Sequence, residues 1–182
     1  NIDTNGICYL DLLFDLKKVP QELIPYTSIL KSVLGYVDTE NYKYGELFNE
    51  INANSGGILF GIQGFGDYKD NQDIRNMAGI KAKMLYDKIP FVFEMIKEIL
   101  ITSVFDDEKR LYEIIARMKS RLQMGLAQAG HSTAVKRALS YFSANAYYQE
   151  QIAGVEFYKV IDELESNFEA KKGELISNLK TL

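Results

Sequence analysis

Residues 5–57, NGICYLDLLFDLKKVPQELIPYTSILKSVLGYVDTENYKYGELFNEINANSGG, decide the fold. Gly6 to Leu16 alternates: Cys8, Leu10, Leu12, Phe14 and Leu16 share one face, and Ile7, Tyr9, Asp11, Leu13 and Asp15 share the other. That period predicts a strand buried on one face and partly on the second. Lys17 and Lys18 form the turn. Pro20 opens a helix, Glu22 suits its first turn, and Pro25 sits too early to break it. Leu23, Tyr26, Ile29, Leu30, Val33 and Leu34 form its apolar stripe, and Gly35 ends it. A second helix is predicted from Lys43 to Ala53, with Tyr44, Leu47, Phe48 and Ile51 on one face. Gly56 and Gly57 then lead into a strand, Ile58 to Phe65.

Beyond this stretch, GFGDYKDNQD (64–73) reads as a polar turn. Ile74 to Leu85 alternates again, with Ile74, Ala78, Ile80, Ala82 and Met84 opposite Arg75, Lys81 and Lys83. The two strands form an antiparallel hairpin with one solvated or domain-facing side. From Asp87 on, the pattern is helical. Asp87 is expected to cap a helix near Pro90, Asp106 to cap the next, Gly130 to stop it, and Ser132 to cap a third. A weak break falls at Ser143 to Asn145. Gly154 precedes a helix carrying Phe157, Ile161, Leu164 and Phe168, and a last amphipathic segment follows from Lys172.

The order is strand, two helices, two strands, then a run of helices. It predicts an α+β domain over 1–182, an antiparallel or mixed sheet covered on one face by helices. No linker, tandem repeat or low-complexity tract interrupts it.

A formal charge of −4 argues against a nucleic-acid partner. The apolar run Ile89 to Ile101 is short and carries charges, so no membrane span is expected. The lone Cys8 allows no internal disulfide and fits a reducing compartment, with the cytoplasm favoured. No signal peptide is visible. The chain opens at Asn1 without a Met and with strand character at once, and reads as cut from a longer polypeptide.

The Val19-Pro20 helix start, the helix pair behind it and the Gly56-Gly57 strand entry resemble the insulinase/pitrilysin superfamily of zinc metallopeptidases, in the presequence-peptidase branch with falcilysin. The resemblance covers most of the chain, most strongly residues 5–66. HSTAVKRALSYFSA and GVEFYKVIDELE are similar to helices of the family's third domain. Members carry H-x-x-E-H at the start of this helix. Here the matching residues are Gln21, Ile24 and Pro25, none of which performs that chemistry. The resemblance therefore implies a non-catalytic domain with no metal of its own, in a parent enzyme whose zinc lies elsewhere.

Inventory points the same way. A catalytic zinc needs about three protein ligands from His, Glu, Asp or Cys and an open position for water. The chain has one His, His131, at a helix junction, and its one Cys is on a strand. The glycine-rich SGGILFGIQGFG matches no phosphate loop, because it enters a strand rather than a helix. In the family's catalytic domains the corresponding edge strand receives substrate by strand addition, which makes Gly57, Gly61 and Gly64 a candidate peptide groove beside a plain structural strand. Asp11 with Asp15, and Glu46 with Glu50, read as solvated pairs. Arg137 and Tyr141 read as packing. The acid-free stretch from Ile114 to Gln149 reads as a solvated helix surface, with docking of an acidic neighbour as the alternative.

The resulting expectation is a structural, chamber-forming domain of a zinc-dependent peptidase that degrades unfolded peptides. Its partners are other domains of the same polypeptide and, in the parent enzyme, the peptide substrate. The alternative is a stand-alone inactive homologue acting as an interaction subunit. The excised piece is expected to self-associate through exposed apolar surface, with Leu175, Ile176 and Leu179 as one candidate patch.

Overall fold

The computed structural model describes residues 4–67, 69–70 and 73–182. Three strands, β1 (Ile7–Asp15), β2 (Ile58–Gly66) and β3 (Ile74–Leu85), form one sheet in the order β1-β3-β2. Both pairings are antiparallel, with Ile7 opposite Leu85 and Ile58 opposite Ala82. The fold is α+β, as the element order predicts. Tyr68, Asn71 and Gln72 of the expected β2–β3 turn lie outside the described residues.

Period-two patterning sets the faces of the sheet. Cys8, Leu10 and Leu12 join Ile80, Ala82 and Met84 against Val92 and Ile96 of α3 (Ile89–Thr102). The opposite face is open: Tyr9 is 70% exposed and Leu59 69%. Of the partial burial expected on this face, Ile7 has it, whereas Tyr9 and Leu13 are exposed because no described helix crosses that side.

The larger core is helical. α1 (Ile24–Val33) follows a single 3₁₀ turn, Gln21–Leu23. Its stripe of Tyr26, Ile29 and Val33 packs against α4 (Glu108–Gln128), α7 (Val155–Ser166) and α8 (Phe168–Thr181) through Leu111, Ile115, Ile161 and Leu175. α2 (Tyr44–Asn54) contributes Leu47 and Ile51 to a smaller cluster with Met95 and Ile99 of α3. Gly35 takes φ +80° after α1, a left-handed value that glycine adopts without penalty.

Several helix boundaries differ from expectation. Asp87 lies in a 3₁₀ turn, Tyr86–Lys88, so α3 starts two residues later at Ile89 without a side-chain cap. Asp107, not Asp106, caps α4, accepting the Arg110 N–H at 2.9 Å. Asp106 instead pairs with Lys180 at 2.9 Å. Gly130 does not stop a helix. It opens α5 (Gly130–Leu139) across a kink at Ala129, which leaves Ser132 inside that helix rather than at its cap. The break at Ser143 is an N-cap: its hydroxyl accepts the Ala146 N–H at the start of α6 (Ala144–Ala153). α8 begins at Phe168, before Lys172, and Leu175 and Leu179 are 0% and 2% exposed. They belong to the core, so they form no docking patch.

Candidate functional site

The helix-start residues Gln21, Ile24 and Pro25 lie together where the chain enters α1. Pro20 is extended (φ −58°, ψ 148°) and Pro25 occupies the second helical position, where a missing N–H costs nothing. Pro25 is buried, Ile24 half-buried and Gln21 exposed. The Gln21 amide donates to the Tyr147 hydroxyl of α6 at 3.3 Å. A polar cleft of about 580 Å³ opens beside Ile24, lined by Asp15, Lys17, Asp73, Arg75 and Tyr148 among others.

These positions do not fit zinc. Isoleucine and proline side chains have no lone pair, and a single amide is a poor substitute for two imidazoles and a carboxylate. Among the described residues no three His, Cys, Asp or Glu side chains converge as a metal site. His131 is exposed at the start of α5, remote in the chain from Cys8 on β1.

The glycines of β2 occupy three different settings. Gly57 has φ +107°, so it turns the chain into the strand. Gly61 lies opposite Gly79 with open space where a side chain would project. At Gly64 a Cβ would meet Asn145 Oδ1 at 2.6 Å, with Asn76 Oδ1 and Gln149 Nε2 at 3.2 Å. The missing side chain at Gly64 therefore leaves room for Asn145 and Gln149 of α6 against β2. Both asparagine Oδ1 atoms are buried there without a hydrogen-bond partner among the described residues.

The paired acids are separately engaged. Asp11 lies 3.6 Å from Lys81, and Asp15 accepts the Lys17 N–H at 2.7 Å. Glu46 accepts the Lys43 N–H at the start of α2, and Glu50 accepts from Asn54. Arg137 stacks over Tyr141 with its guanidinium carbon 5.5 Å from the ring centroid, as a packing contact would. Lys119, in the acid-free stretch, is taken by Asp162 at 2.7 Å and Glu165 at 3.0 Å. These two carboxylates raise its pKa despite the opposing effect of burial.

Two polar centres escape sequence reading. Glu150, 3% exposed, accepts the Val155 N–H at 2.7 Å and faces Arg137 at 3.5 Å. Glu98 accepts from the Asn41 backbone at 3.1 Å and from the Asn41 amide at 3.0 Å. Burial pushes the Glu98 carboxyl up, but hydrogen bonds from Thr39, Asn41 and Thr102 outweigh it and hold the pKa at about 2. Neither acid stands at a spacing that marks it. The only signal is that Glu150 precedes Gly154 and a new helix.

Known proteins share this chain's pattern. The family model described as "Peptidase M-16C associated" matches residues 1–164. The chain is 36% identical over 177 residues to Protein HypA of Clostridium perfringens, covering 97% of this chain and 18% of that protein. It is 26% identical to the mitochondrial presequence protease of Yarrowia lipolytica, covering 91% of this chain and 17% of that protein. With the mitochondrial presequence protease of Saccharomyces cerevisiae it shares 27% over 187 residues, covering 99% and 19%. The chain thus spans less than a fifth of the length of these relatives. Among the described residues, no helix is long and apolar enough to cross a membrane.

Proposed function

The chain belongs to the family of peptidase M-16C associated domains, and on that premise we propose that it is a non-catalytic, chamber-forming domain of a zinc-dependent peptidase that degrades unfolded peptides. The observation that carries this reading is the start of α1. The backbone keeps a proline-initiated helix with its first turn beside a polar cleft, while Gln21, Ile24 and Pro25 supply no ligand and no general base. Hydrolysis of an amide by a metallopeptidase needs zinc-activated water and a positioned base, so both come from other domains of the longer polypeptide. This domain supplies wall and support. Its helical core holds the sheet in place, and its open sheet face offers a surface to neighbours. Peptide substrate is contacted only in the assembled enzyme, and the β2 glycines remain the candidate place for it.

A fluorogenic peptide assay with added zinc tests the proposal. The chain alone is expected to give no chelator-sensitive turnover. Turnover that scales with its concentration and survives repurification defeats the reading. Restoring His, Glu and His at Gln21, Ile24 and Pro25 is expected to leave it inactive as well, since a further ligand is still missing.

A further inference from the structure

A cavity of about 330 Å³ lies between α1 and the covered face of the sheet. Its floor is one row across the three strands. The register sets Phe14 and Ile62 on either side of Ala78, so a small residue separates two large ones. The next row, Leu12, Ile80 and Phe60, has no small member, and Ile80 is buried. The cluster that Val92 and Ile96 of α3 form with the sheet ends there. Beyond it the floor is uncovered, and Phe14 is 47% exposed.

The roof is a second stripe of α1. Thr27, Leu30, Lys31 and Leu34 line the cavity at i, i+3, i+4 and i+7, the spacing of one helix face. A lysine therefore stands in an apolar stripe. Lys31 is half-buried and makes no hydrogen bond or ion pair with any described residue. Burial lowers its pKa, with no carboxylate near enough to oppose the shift. The two other polar side chains of the wall are engaged. The Thr27 hydroxyl donates to the Ile24 carbonyl at 2.6 Å, and Asp15 accepts the Lys17 N–H at 2.7 Å. Lys31 is thus the one polar side chain of the lining without a partner.

A desolvated charge without a partner is costly, and proteins ordinarily pair it. The volume falls in the range of small-molecule sites, about 300–1,000 Å³, where apolar walls and few polar groups fix a ligand's orientation. We propose that this cavity binds an aliphatic carboxylate of the fatty-acid class, with its head group on Lys31 and its chain over Phe14, Ala78 and Ile62. Charge complementarity identifies the occupant. One unpartnered cation asks for one anionic head, and the apolar floor asks for a body without polar groups. A peptide would bring amide groups for which these side chains hold no free partner. The proposal does not depend on the peptidase reading.

Isothermal titration calorimetry with octanoate, kept below its micelle concentration, tests it. Octanoate is expected to bind at a single site, and 1-octanol, which lacks the charge, about tenfold more weakly. Lys31→Met replaces the ammonium by an apolar end. It is expected to abolish the preference for the carboxylate and to leave the urea midpoint at or above that of the wild type, because an unpaired charge has gone. Ala78→Phe fills the floor and is expected to block both ligands. Absence of saturable octanoate binding overturns the proposal. So does equal affinity for the alcohol, a preference that survives Lys31→Met, a lowered midpoint for that variant, or binding that Ala78→Phe leaves unchanged. Tighter binding of acetyl-leucyl-leucine than of octanoate overturns it as well, since the occupant would then be a peptide end. If Ala78→Phe fails to fold, the Lys31→Met comparison decides alone.

Discussion

The Glu150 carboxylate caps the helix that begins at Val155, accepting its N–H at 2.7 Å and lying 3.4 Å from that of Glu156. A negative group here meets two orphan donors and the positive end of the α7 dipole. Arg137 neutralises it from the other side, at 3.5 Å, and reaches Glu156 at 2.8 Å. One buried acid thus joins α5, α6 and α7.

Gly154 is what lets Glu150 fold back. A Cβ at that position would lie 2.8 Å from the Glu150 Cα, with the carboxylate closer still. Gly154→Ala is expected to expel the carboxylate and lower stability by about 2–3 kcal/mol, measured by urea unfolding. Glu150→Gln, which keeps an acceptor, is expected to cost less. An unchanged midpoint for Gly154→Ala contradicts the capping role.

Glu98 clasps the loop before α2 to α3, and its folded pKa of about 2 lies below its ordinary value near 4.5. A depressed carboxyl stabilises the fold above the unfolded pKa, and that contribution is lost as pH falls through the folded one. Glu98→Gln is expected to destabilise by about 1 kcal/mol at neutral pH, a modest figure because solvent screens the site. The difference from wild type should shrink from about pH 4.5 downward and vanish only below about pH 2. A difference that is flat with pH excludes the clasp.

Leu175 distinguishes a core α8 from a detachable amphipathic one. It is fully buried among Tyr26, Ile161 and their neighbours. Leu175→Ala is expected to cost about 3 kcal/mol, read from the thermal or urea transition. A surface leucine would cost a few tenths, and such a result would detach α8 from the core.

Zinc is expected to bind weakly if at all. The motivation is the replacement of ligand positions by Gln21, Ile24 and Pro25. Calorimetric titration after dialysis against chelator checks it, and a stoichiometric site of sub-micromolar affinity would restore metal chemistry to this domain.

Where alternation or helical periodicity was strong, the fold was legible in sequence. β1 and β3 were marked by side chains changing face at each residue, and the α1 stripe by spacings of three and four. Helix starts were less legible, because two candidate acids stand side by side at Asp106 and Asp107, and only loop geometry selects the second. The burial of α8 was invisible for another reason. An apolar stripe states that something covers it, and only the tertiary arrangement says that the cover is α1. The start of α1 was legible because Pro20 and Pro25 both sit where a helix tolerates proline. Glu150 was not, because its role depends on Arg137 and Val155 meeting in space.

The first helix of this chain is completed by its last. Tyr26 of α1 donates to Glu174 of α8 at 3.3 Å across a separation of 148 residues, and its apolar neighbours rest on Ile161 and Leu175. A ribosome making the protein in order therefore releases α1 long before its cover exists. During that interval the stripe of Tyr26, Ile29 and Val33 is available to chaperones and to other nascent chains. A premature stop between β3 and α7 would leave a polypeptide whose small sheet can form but whose main core cannot. Quality control would then act on the beginning of the chain because of what is missing at its end.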